Sequence, residues 1–389
     1  MAYATTTPRH KTKEVGIGDH LIGGENPISV QSMTTTNTFD AQATLEQIQR
    51  LEEAGCEVVR VTVPKKEDVA GCEAIRDHMK IPLIADIHYD YRMALACLEA
   101  RTPSGRRAVD KIRINPGNLG GEERFKEVVR KARDAGVPMR IGVNSGSLEK
   151  DLIDKYGFPC PEAMVESALR YIETAESLGY KLMIVSLKAS HVPTAVECYT
   201  QYARQCDYPT HVGITEAGSK DYGTLKSSAG IGAIVLRGIG DTIRVSLLGD
   251  PVPEIAAGFD ILRACDRRVT KPEVVACPTC GRLDIDLERI VAEVEERMKN
   301  LSNPIRVSIL GCLVNGFGEA KEADLGIAAG AGKGIIFKRG IPIRHVKEAE
   351  MVDALLEEVH RFDEEVKPLA SYLEKEKQKQ NKASLTVLN

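Results

Sequence analysis

ATLEQIQRLEEAGCEVVRVTV, residues 43–63, decides how the first two thirds of the chain is read. Leu45, Ile48 and Leu51 recur at helical spacing and make one apolar face. Gly55 then acts as a helix stop, because glycine takes the left-handed backbone of that position without a Cβ penalty. The run that follows, EVVRVTV, has the β-branched composition of a buried strand. The same helix–glycine–strand punctuation returns at Ala135–Gly136 and Leu178–Gly179.

Outward from this unit, eight such apolar runs follow one another: ISVQSM, EVVRVTV (57–63), PLIADIH (82–88), KIRIN (111–115), PMRIGVN (138–144), KLMIVSLKAS (181–190), HVGITEAG (211–218) and TIRVSLLGD (242–250). Helical patterns lie between them, and a hairpin-like opening, KEVGIGDHLIGGENPISV, precedes them. Eight strands alternating with helices over about 250 residues predict a (β/α)8 TIM-type barrel in an α/β chain. A doubly wound open sheet is the alternative, but no GxGxxG follows the first strand.

A last helical stretch, PEIAAGFDILRACDRR, ends the pattern, and VTKPEVVACPTCG breaks it. Beyond lie a long amphipathic helix (287–301), the strand PIRVSILG, a cysteine loop, the hairpin-like DLGIAAGAGKGIIFKRGIPIRHV and a charged helix (348–362). The expected organisation is a barrel over 1–268, a small α+β domain over 269–366 and a polar tail over 367–389. GAGKG invites a phosphate-loop reading, but no glycine stands five before Gly332, and Gly334 replaces the Ser or Thr that binds magnesium. A turn between two strands is the better reading.

Composition bounds the function. The chain has 389 residues, 43% hydrophobic and 28% charged, a net charge of −4, 5% aromatics and no Trp. It lacks the basic, stacking-rich face of a nucleic-acid binder. No apolar run is long enough for a membrane helix, and MAYATTTPRHKTKEVG lacks the apolar segment of a secretory signal, so a cytoplasmic protein is expected. Seven of the ten cysteines, Cys56, Cys72, Cys97, Cys160, Cys198, Cys206 and Cys265, are scattered and read as reduced thiols used as small hydrophobes.

Barrel enzymes work at the C-terminal ends of their strands. Those ends carry Arg60, then Asp86 and His88, Arg113 and Asn115, Arg140 and Asn144, Lys188, Glu216, and finally Arg244 and Ser246. Residues two apart on a strand face the same way, and these pairs keep that parity. Any one arginine could be a surface charge or a structural ion pair. Five cations from five strands need anions, since buried unpaired cations are costly and Arg binds phosphate bidentately. A small molecule with two or more phosphates would satisfy them. His88 beside Asp86 reads either as a structural histidine or as a proton shuttle. Glu216 is the candidate proton donor, or else an arginine partner.

The remaining cysteines have company. CPTC supplies Cys277 and Cys280, and GCLVNGFGEA supplies Cys312 and, seven residues on, Glu319. Zinc would prefer a second CxxC or a Cys–His pair. Three thiolates fit a [4Fe-4S] cluster with one special iron, where a carboxylate yields to substrate more readily than a thiolate. Zinc as a structural staple stays open from spacing alone, as does a solvated Glu319.

Together VQSMTTTNT, VVRVTVP, ADIHYD, KIRINPGN, RIGVNSGSL, SLKAS, GITEAG, IRVSLLGDP, CPTCGR and GCLVNGFGEA resemble the bacterial 4-hydroxy-3-methylbut-2-en-1-yl diphosphate synthases over nearly the whole chain. The resemblance implies a barrel followed by a sulfite-reductase-like iron–sulfur domain. It implies cluster ligation by Cys277, Cys280, Cys312 and Glu319. It also implies a diphosphate clamp of Arg60, Arg113, Arg140, Lys188 and Arg244 with Asn115, Asn144 and Ser246. The implied reaction is a two-electron reductive ring opening of 2-C-methyl-D-erythritol 2,4-cyclodiphosphate, in isoprenoid biosynthesis, with electrons from flavodoxin or ferredoxin. The other classes to separate from it are a non-redox barrel enzyme with a zinc staple and a cluster-based sensor.

A topological expectation follows. The helix near 254–267 runs back down the barrel by about 20 Å at 1.5 Å per residue. The small domain then starts at the bottom face, away from its own arginines. A head-to-tail homodimer with an active site formed in trans, and a hinge near Thr270–Val275, are expected.

Overall fold

The structure is a computed structural model that describes residues 7–365 except 284, 302 and 313–322. The chain divides into two compact units, the first ending at Arg268 and the second beginning at Val269.

The first unit opens on a hairpin, β1 (Val15–Ile17) and β2 (His20–Ile22). Gly18 turns it with φ +57°. Eight strands follow: β3 (Ser29–Met33), β4 (Val58–Thr62), β5 (Leu83–Ile87), β6 (Lys111–Ile114), β7 (Met139–Asn144), β8 (Met183–Lys188), β9 (His211–Val212) and β10 (Thr242–Ile243). They form one parallel sheet in the order β8-β7-β6-β5-β4-β3-β10-β9. A parallel bridge between Val185 and Thr210 joins its two ends, and Val185 N donates to Pro209 O at 2.9 Å. The predicted barrel is therefore present. Its last two strands are shorter than their apolar runs suggested, because Gly213 and the mouth residues beyond leave the regular ladder.

The first helix, α1 (Ala41–Glu53), shows why the opening stretch folds as it does. The Asp40 carboxylate accepts from Ala43 N at its start, and Gly55 follows its end at φ +91°. Ile48 and Leu51 are buried and Leu45 is half-buried against the core. The helices α2 (Lys66–Arg76), α3 (Tyr91–Glu99), α4 (Glu122–Ala135), α5 (Lys150–Tyr156), α6 (Pro161–Ser177), α7 (Val192–Ala203), α8 (Lys220–Leu236) and α9 (Val252–Ala264) complete the unit. Strand residues of one parity, such as Val59, Val61, Ile112, Ile114, Ile141 and Val185, make the apolar core with these helices. Burial contributes about 1.5–3 kcal/mol for each large side chain. The other parity points inward, and Ile184 near the start of β8 packs against Val15, Ile17 and Ile22 of the hairpin, which plugs the barrel's lower end. Of the seven barrel cysteines six are buried and Cys206 is partly so.

The second unit is a mixed sheet in the order β11-β12-β13-β14-β15. Its strands are β11 (Glu273–Ala276), β12 (Arg306–Leu310), β13 (Leu325–Gly330), β14 (Lys333–Lys338) and β15 (Ile341–Lys347), with α10 (Leu287–Met298) after β11 and a last helix, α11, over 351–365. The first three strands are parallel and the last two antiparallel. The hairpin expected at 324–346 is thus a three-stranded meander. GAGKG supplies its first turn, with Ala331 at φ 51° and Gly332 at 73°; Arg339 and Gly340 make the second at 51° and 78°. One face carries Val307, Ile309, Leu325, Ile327 and Ile336 against α10 and α11. The opposite face carries Leu310, Ala328 and Phe337 beside Cys277. The expected hinge needs correction: Glu273–Val275 is paired in register with Arg306–Ser308, so only 269–272 stand outside regular structure there. Among the described residues no helix is long and apolar enough to cross a membrane.

Candidate active site

Alternation inside the barrel brings the predicted cations to one place. Arg60, Arg113, Arg140 and Lys188 are 7%, 4%, 1% and 8% exposed, although all are charged. They sit inward on β4, β6, β7 and β8 while their neighbours in sequence join the apolar shell. Burial pushes the Lys188 ammonium well down, and Arg60, Arg140, Arg244 and Arg113 push it further, so the five cations share one electrostatic neighbourhood.

Asp86 is the acid among them. Its Oδ1 accepts from Arg113 Nη1 at 2.9 Å, and its Oδ2 lies 3.4 Å from Arg60 Nε and 3.5 Å from His88 Nε2. Burial alone would raise its carboxyl, yet Arg60 and Arg113 hold it well below the usual range. His88 Nε2 also stands 3.3 Å from Arg113 Nη1. Asn115 Nδ2 donates to Ser147 Oγ at 2.7 Å, and Ser147 Oγ donates to Asn144 O at 3.3 Å. Asn144 Oδ1 is buried without a partner among the described residues. Ser246 is half-buried two residues beyond Arg244.

One predicted member stands apart. Glu216 is exposed, at φ 53°, and its backbone carbonyl rather than its carboxylate accepts from Lys226 Nζ. Its side chain makes no ion pair with the barrel cations in this structure.

The site holds further residues. Glu254, in the first turn of α9 and 1% exposed, grips Arg244 from behind: Oε2 to Nε at 3.1 Å and Oε1 to Nη2 at 3.2 Å. Met33 Sδ lies 3.0 Å from Arg60 Nη2 and 3.5 Å from Arg244 Nη1, between the two guanidiniums. Below them Lys111 and His211 are buried, and among the described residues Lys111 Nζ, both His211 ring nitrogens and all three Arg140 guanidinium nitrogens find no partner. Burial, then the neighbouring cations, drives both Lys111 and His211 well below their ordinary values. Strand parity in KIRIN places Lys111 with Arg113, and parity in ISVQSM places Met33 inward beside Arg60, so those signals were available; Glu254 had none. Two inward glycines make room. A Cβ on Gly142 would lie 2.8 Å from Arg113 Nε, and one on Gly213 would lie 3.3 Å from Lys188 Nζ.

In the second unit Cys277 follows β11 and Cys312 follows β12. The Cys277 Sγ accepts from Gly311 N at 3.2 Å, and a Cβ on Gly311 would meet Leu283 Cδ1 at 2.2 Å. The Arg282 guanidinium is held above its ordinary range by a hydrogen bond with Cys312 and by the charges of Cys280, Cys312 and Cys277. A cavity of about 470 Å³ opens beside Cys277, lined by Val275, Pro278, Arg306, Ser308, Leu310 and Ala323. Among the described residues no trio of His, Cys, Asp or Glu stands close enough to hold a single ion. Glu319 lies outside the described residues. The donor set suits an iron–sulfur cluster: soft thiolates, a backbone N–H aimed at one sulfur, and a cation near a group of net negative charge.

Comparison with known proteins covers both units. Residues 12–259 match the GcpE TIM-barrel domain, and residues 273–361 match the GcpE protein C-terminal domain. The chain is 50% identical to a 4-hydroxy-3-methylbut-2-en-1-yl diphosphate synthase (flavodoxin) of Caldanaerobacter subterraneus, over 92% of this chain and 99% of that one. It is 49% identical to the protein of that name in Geobacillus kaustophilus, over 97% of each. The Bacillus mycoides protein of that name is 48% identical, over 96% of this chain and 100% of its own.

Proposed function

The chain belongs to the GcpE family, and from that premise we propose that it is an iron–sulfur oxidoreductase that opens 2-C-methyl-D-erythritol 2,4-cyclodiphosphate reductively to 4-hydroxy-3-methylbut-2-enyl diphosphate. The observation that carries the reading is the charge balance of the barrel. Five inward cations face two buried carboxylates, Asp86 and Glu254, and among the described residues Arg140 has no partner for any guanidinium nitrogen. Such a site is costly until an anion fills it, and a diphosphate supplies the missing acceptors.

In this reading Arg60, Arg113, Arg140, Lys188 and Arg244, with Asn115, Asn144 and Ser246, hold the diphosphate. They stabilise the charge that develops on it as the ring C–O bond breaks. Asp86 keeps Arg60, Arg113 and His88 in register. The reaction takes two electrons, releases the diphosphate end of the ring and loses the C3 oxygen as water. Protonation of that oxygen needs an acid, and His88 and Glu216 are the candidates; Glu216 would have to turn inward to serve. Cys277, Cys280 and Cys312, with Glu319 as a fourth ligand, would hold a [4Fe-4S] cluster. Such a cluster supplies electrons and a Lewis-acidic iron. Flavodoxin, or ferredoxin, would deliver the electrons, and a phosphorylated metabolite with such a carrier fits the cytoplasm. We further propose that the site is completed in trans in a homodimer. Arg268, the last residue of the first unit, donates to Ile28 O at 2.8 Å and pairs with Glu57, and both precede strand starts. The first unit therefore hands on the chain at the face opposite its own cationic mouth.

Anaerobic turnover of the cyclic diphosphate with a chemical reductant tests the function. Four irons per chain and product formation are expected. Fully clustered protein without turnover would overturn the reading, and colourless protein with one zinc would favour a non-redox barrel enzyme.

A further inference from the structure

The second unit separates its charges by layer. Residues 333–347 contain five Lys or Arg and no Asp or Glu. The helical layer is acidic, with Glu288, Glu293, Glu295 and Glu296 on α10 and Asp353, Glu357, Glu358 and Glu365 among the acids of α11. Part of the basic hairpin is neutralised by that layer: Arg344 pairs with Glu357 at 2.6 Å and Lys338 with Glu365 at 2.8 Å. Those two side chains lie on the helix-covered face. Lys333 and Lys347 do not follow them. They are direct register partners across the β14–β15 ladder, both exposed, and neither joins an ion pair among the described residues. Like charges directly opposite on a ladder weaken a sheet. Their Coulomb repulsion is relieved when an anion lies across both.

The same face leads to the cysteines. His345 pairs with Ile335, Ile335 with Ala328, and Ala328 with Leu310. Cys277 stands one step beyond the Ala276–Ile309 pair, and so beside Leu310. A single row therefore crosses the sheet from Cys277 to His345, four strand spacings or roughly 19 Å in all. At its basic end Ile343, two residues before His345, is 42% exposed. An exposed edge strand with an apolar side chain inside a basic rim has the anatomy of a transient, electrostatically steered contact.

We propose that the edge formed by Lys333, His345 and Lys347, with Ile343, is where the electron donor docks, and that this donor is an acidic one-electron carrier protein, the flavodoxin of the reading above. The inference rests on that reading for the identity of the partner. Charge complementarity selects an acidic surface. A second copy presenting its barrel mouth would bring cations against cations. No Phe, Tyr or Trp ring is exposed on this edge to stack a nucleic-acid base, since Phe337 is 1% exposed. Docking here places the carrier at the end of the row that leads to Cys277.

The test uses the full chain with its cluster, and the double variant Lys333→Glu/Lys347→Glu beside Lys333→Arg/Lys347→Arg. Binding of oxidised flavodoxin is measured by titration at several salt concentrations. Turnover is measured once with flavodoxin and once with dithionite and a small viologen. The charge reversal should weaken flavodoxin binding about tenfold, flatten its salt dependence and raise KM for flavodoxin to match. Viologen-driven turnover should stay unchanged, and the Arg pair should behave as wild type. Unchanged flavodoxin binding in the Glu variant would overturn the proposal. A changed sedimentation profile with unchanged flavodoxin binding would assign the edge to a second copy and overturn it as well. Wild-type chain inactive even with viologen would overturn the function, while the binding titration would still decide the docking edge.

Discussion

Glu254 holds Arg244 through two parallel contacts, Oε2 to Nε at 3.1 Å and Oε1 to Nη2 at 3.2 Å, and leaves Nη1 beside Met33. The same carboxylate accepts from Ser32 Oγ at 2.8 Å and from Leu247 N at 3.0 Å, so α9, β3 and the segment after β10 meet on one buried acid. A bidentate guanidinium has its plane fixed as well as its position. Glu254→Gln keeps the shape and removes the charge, leaving Arg244 with one good acceptor. The expected result is a loss of about 2 kcal/mol in unfolding free energy and a tenfold rise in KM for the cyclic diphosphate, since hydrogen bonds to charged groups contribute about 1.5–3 kcal/mol. Denaturant unfolding and steady-state kinetics check both; an unchanged KM would show that Arg244 is oriented by other means.

Arg140 makes the opposite case. It is 1% exposed and among the described residues none of its guanidinium nitrogens is partnered, so the substrate-free chain carries the cost of the buried charge. Arg140→Met should raise the stability of the substrate-free chain by about 1–4 kcal/mol, as apolar replacement of buried charge can. It should also weaken binding of the cyclic diphosphate by about a hundredfold. Melting curves with and without substrate measure both. A destabilised variant would mean that the cation is already compensated inside the barrel.

Most of this arrangement was legible in the sequence because both periodicities that matter are local. The β-branched runs with helices between them gave the barrel, and parity within KIRIN and PMRIGVN gave Arg113 with Asn115 and Arg140 with Asn144. Glu254 was not legible, since it reaches the site from a helix packed outside the barrel, and that contact has no local period. Glu216 shows the converse limit. Its place after HVGIT puts it at the mouth, but its left-handed φ of 53° accompanies an exposed side chain that parity alone could not foresee. The edge role of β15 was hidden too, because register across strands distant in sequence is set by the turns at Ala331–Gly332 and Arg339–Gly340.

Gly142 explains how two arginines on adjacent strands fit side by side. A methyl group there would lie 2.8 Å from Arg113 Nε and 3.0 Å from its Nη2. Gly142→Ala should push Arg113 off Asp86 and cut kcat/KM by about tenfold or more, because a displacement near 1 Å in a binding clamp is costly. A crystal structure of the variant with an unmoved guanidinium and full activity would remove Gly142 from the account.

His211 gives the barrel a pH dependence with a definite sign. It faces Arg140, Lys188, Arg60 and Lys111, and burial first, then these charges, holds its pKa well below the ordinary 6.5. Below pH 6.5 the unfolded chain protonates this ring while the folded chain does not, so the unfolded state binds more protons. Stability therefore falls as pH drops below 6.5, by up to about 1.4 kcal/mol per pH unit for one such group. His20 is shifted the same way and adds to the slope. The difference between wild type and His211→Gln isolates the deeper ring: the variant should lose part of the slope between pH 6.5 and 5, measured by urea unfolding. Parallel curves would show that His211 is protonated with its neighbours already in place.

The barrel cations and the three cysteines lie in separate units of one chain, and the first unit ends at Arg268 on the face away from its cations. The α9 helix accounts for this, since thirteen residues return the chain about 20 Å down the barrel wall. A site assembled in trans needs only that each dimer carry one intact mouth facing one intact cysteine set. Mixing Cys312→Ala chains with Arg113→Ala chains should then restore activity that neither homodimer has. With random pairing half of the dimers are mixed, and each mixed dimer keeps one complete site, so about a quarter of wild-type turnover is the expected ceiling. Isolated heterodimers carrying different affinity tags remove the pairing statistics and should reach half. Verified heterodimers with one cluster per dimer and no turnover would mean that each chain serves its own barrel, and the hand-over at Arg268 would then have to be bridged by residues 269–272.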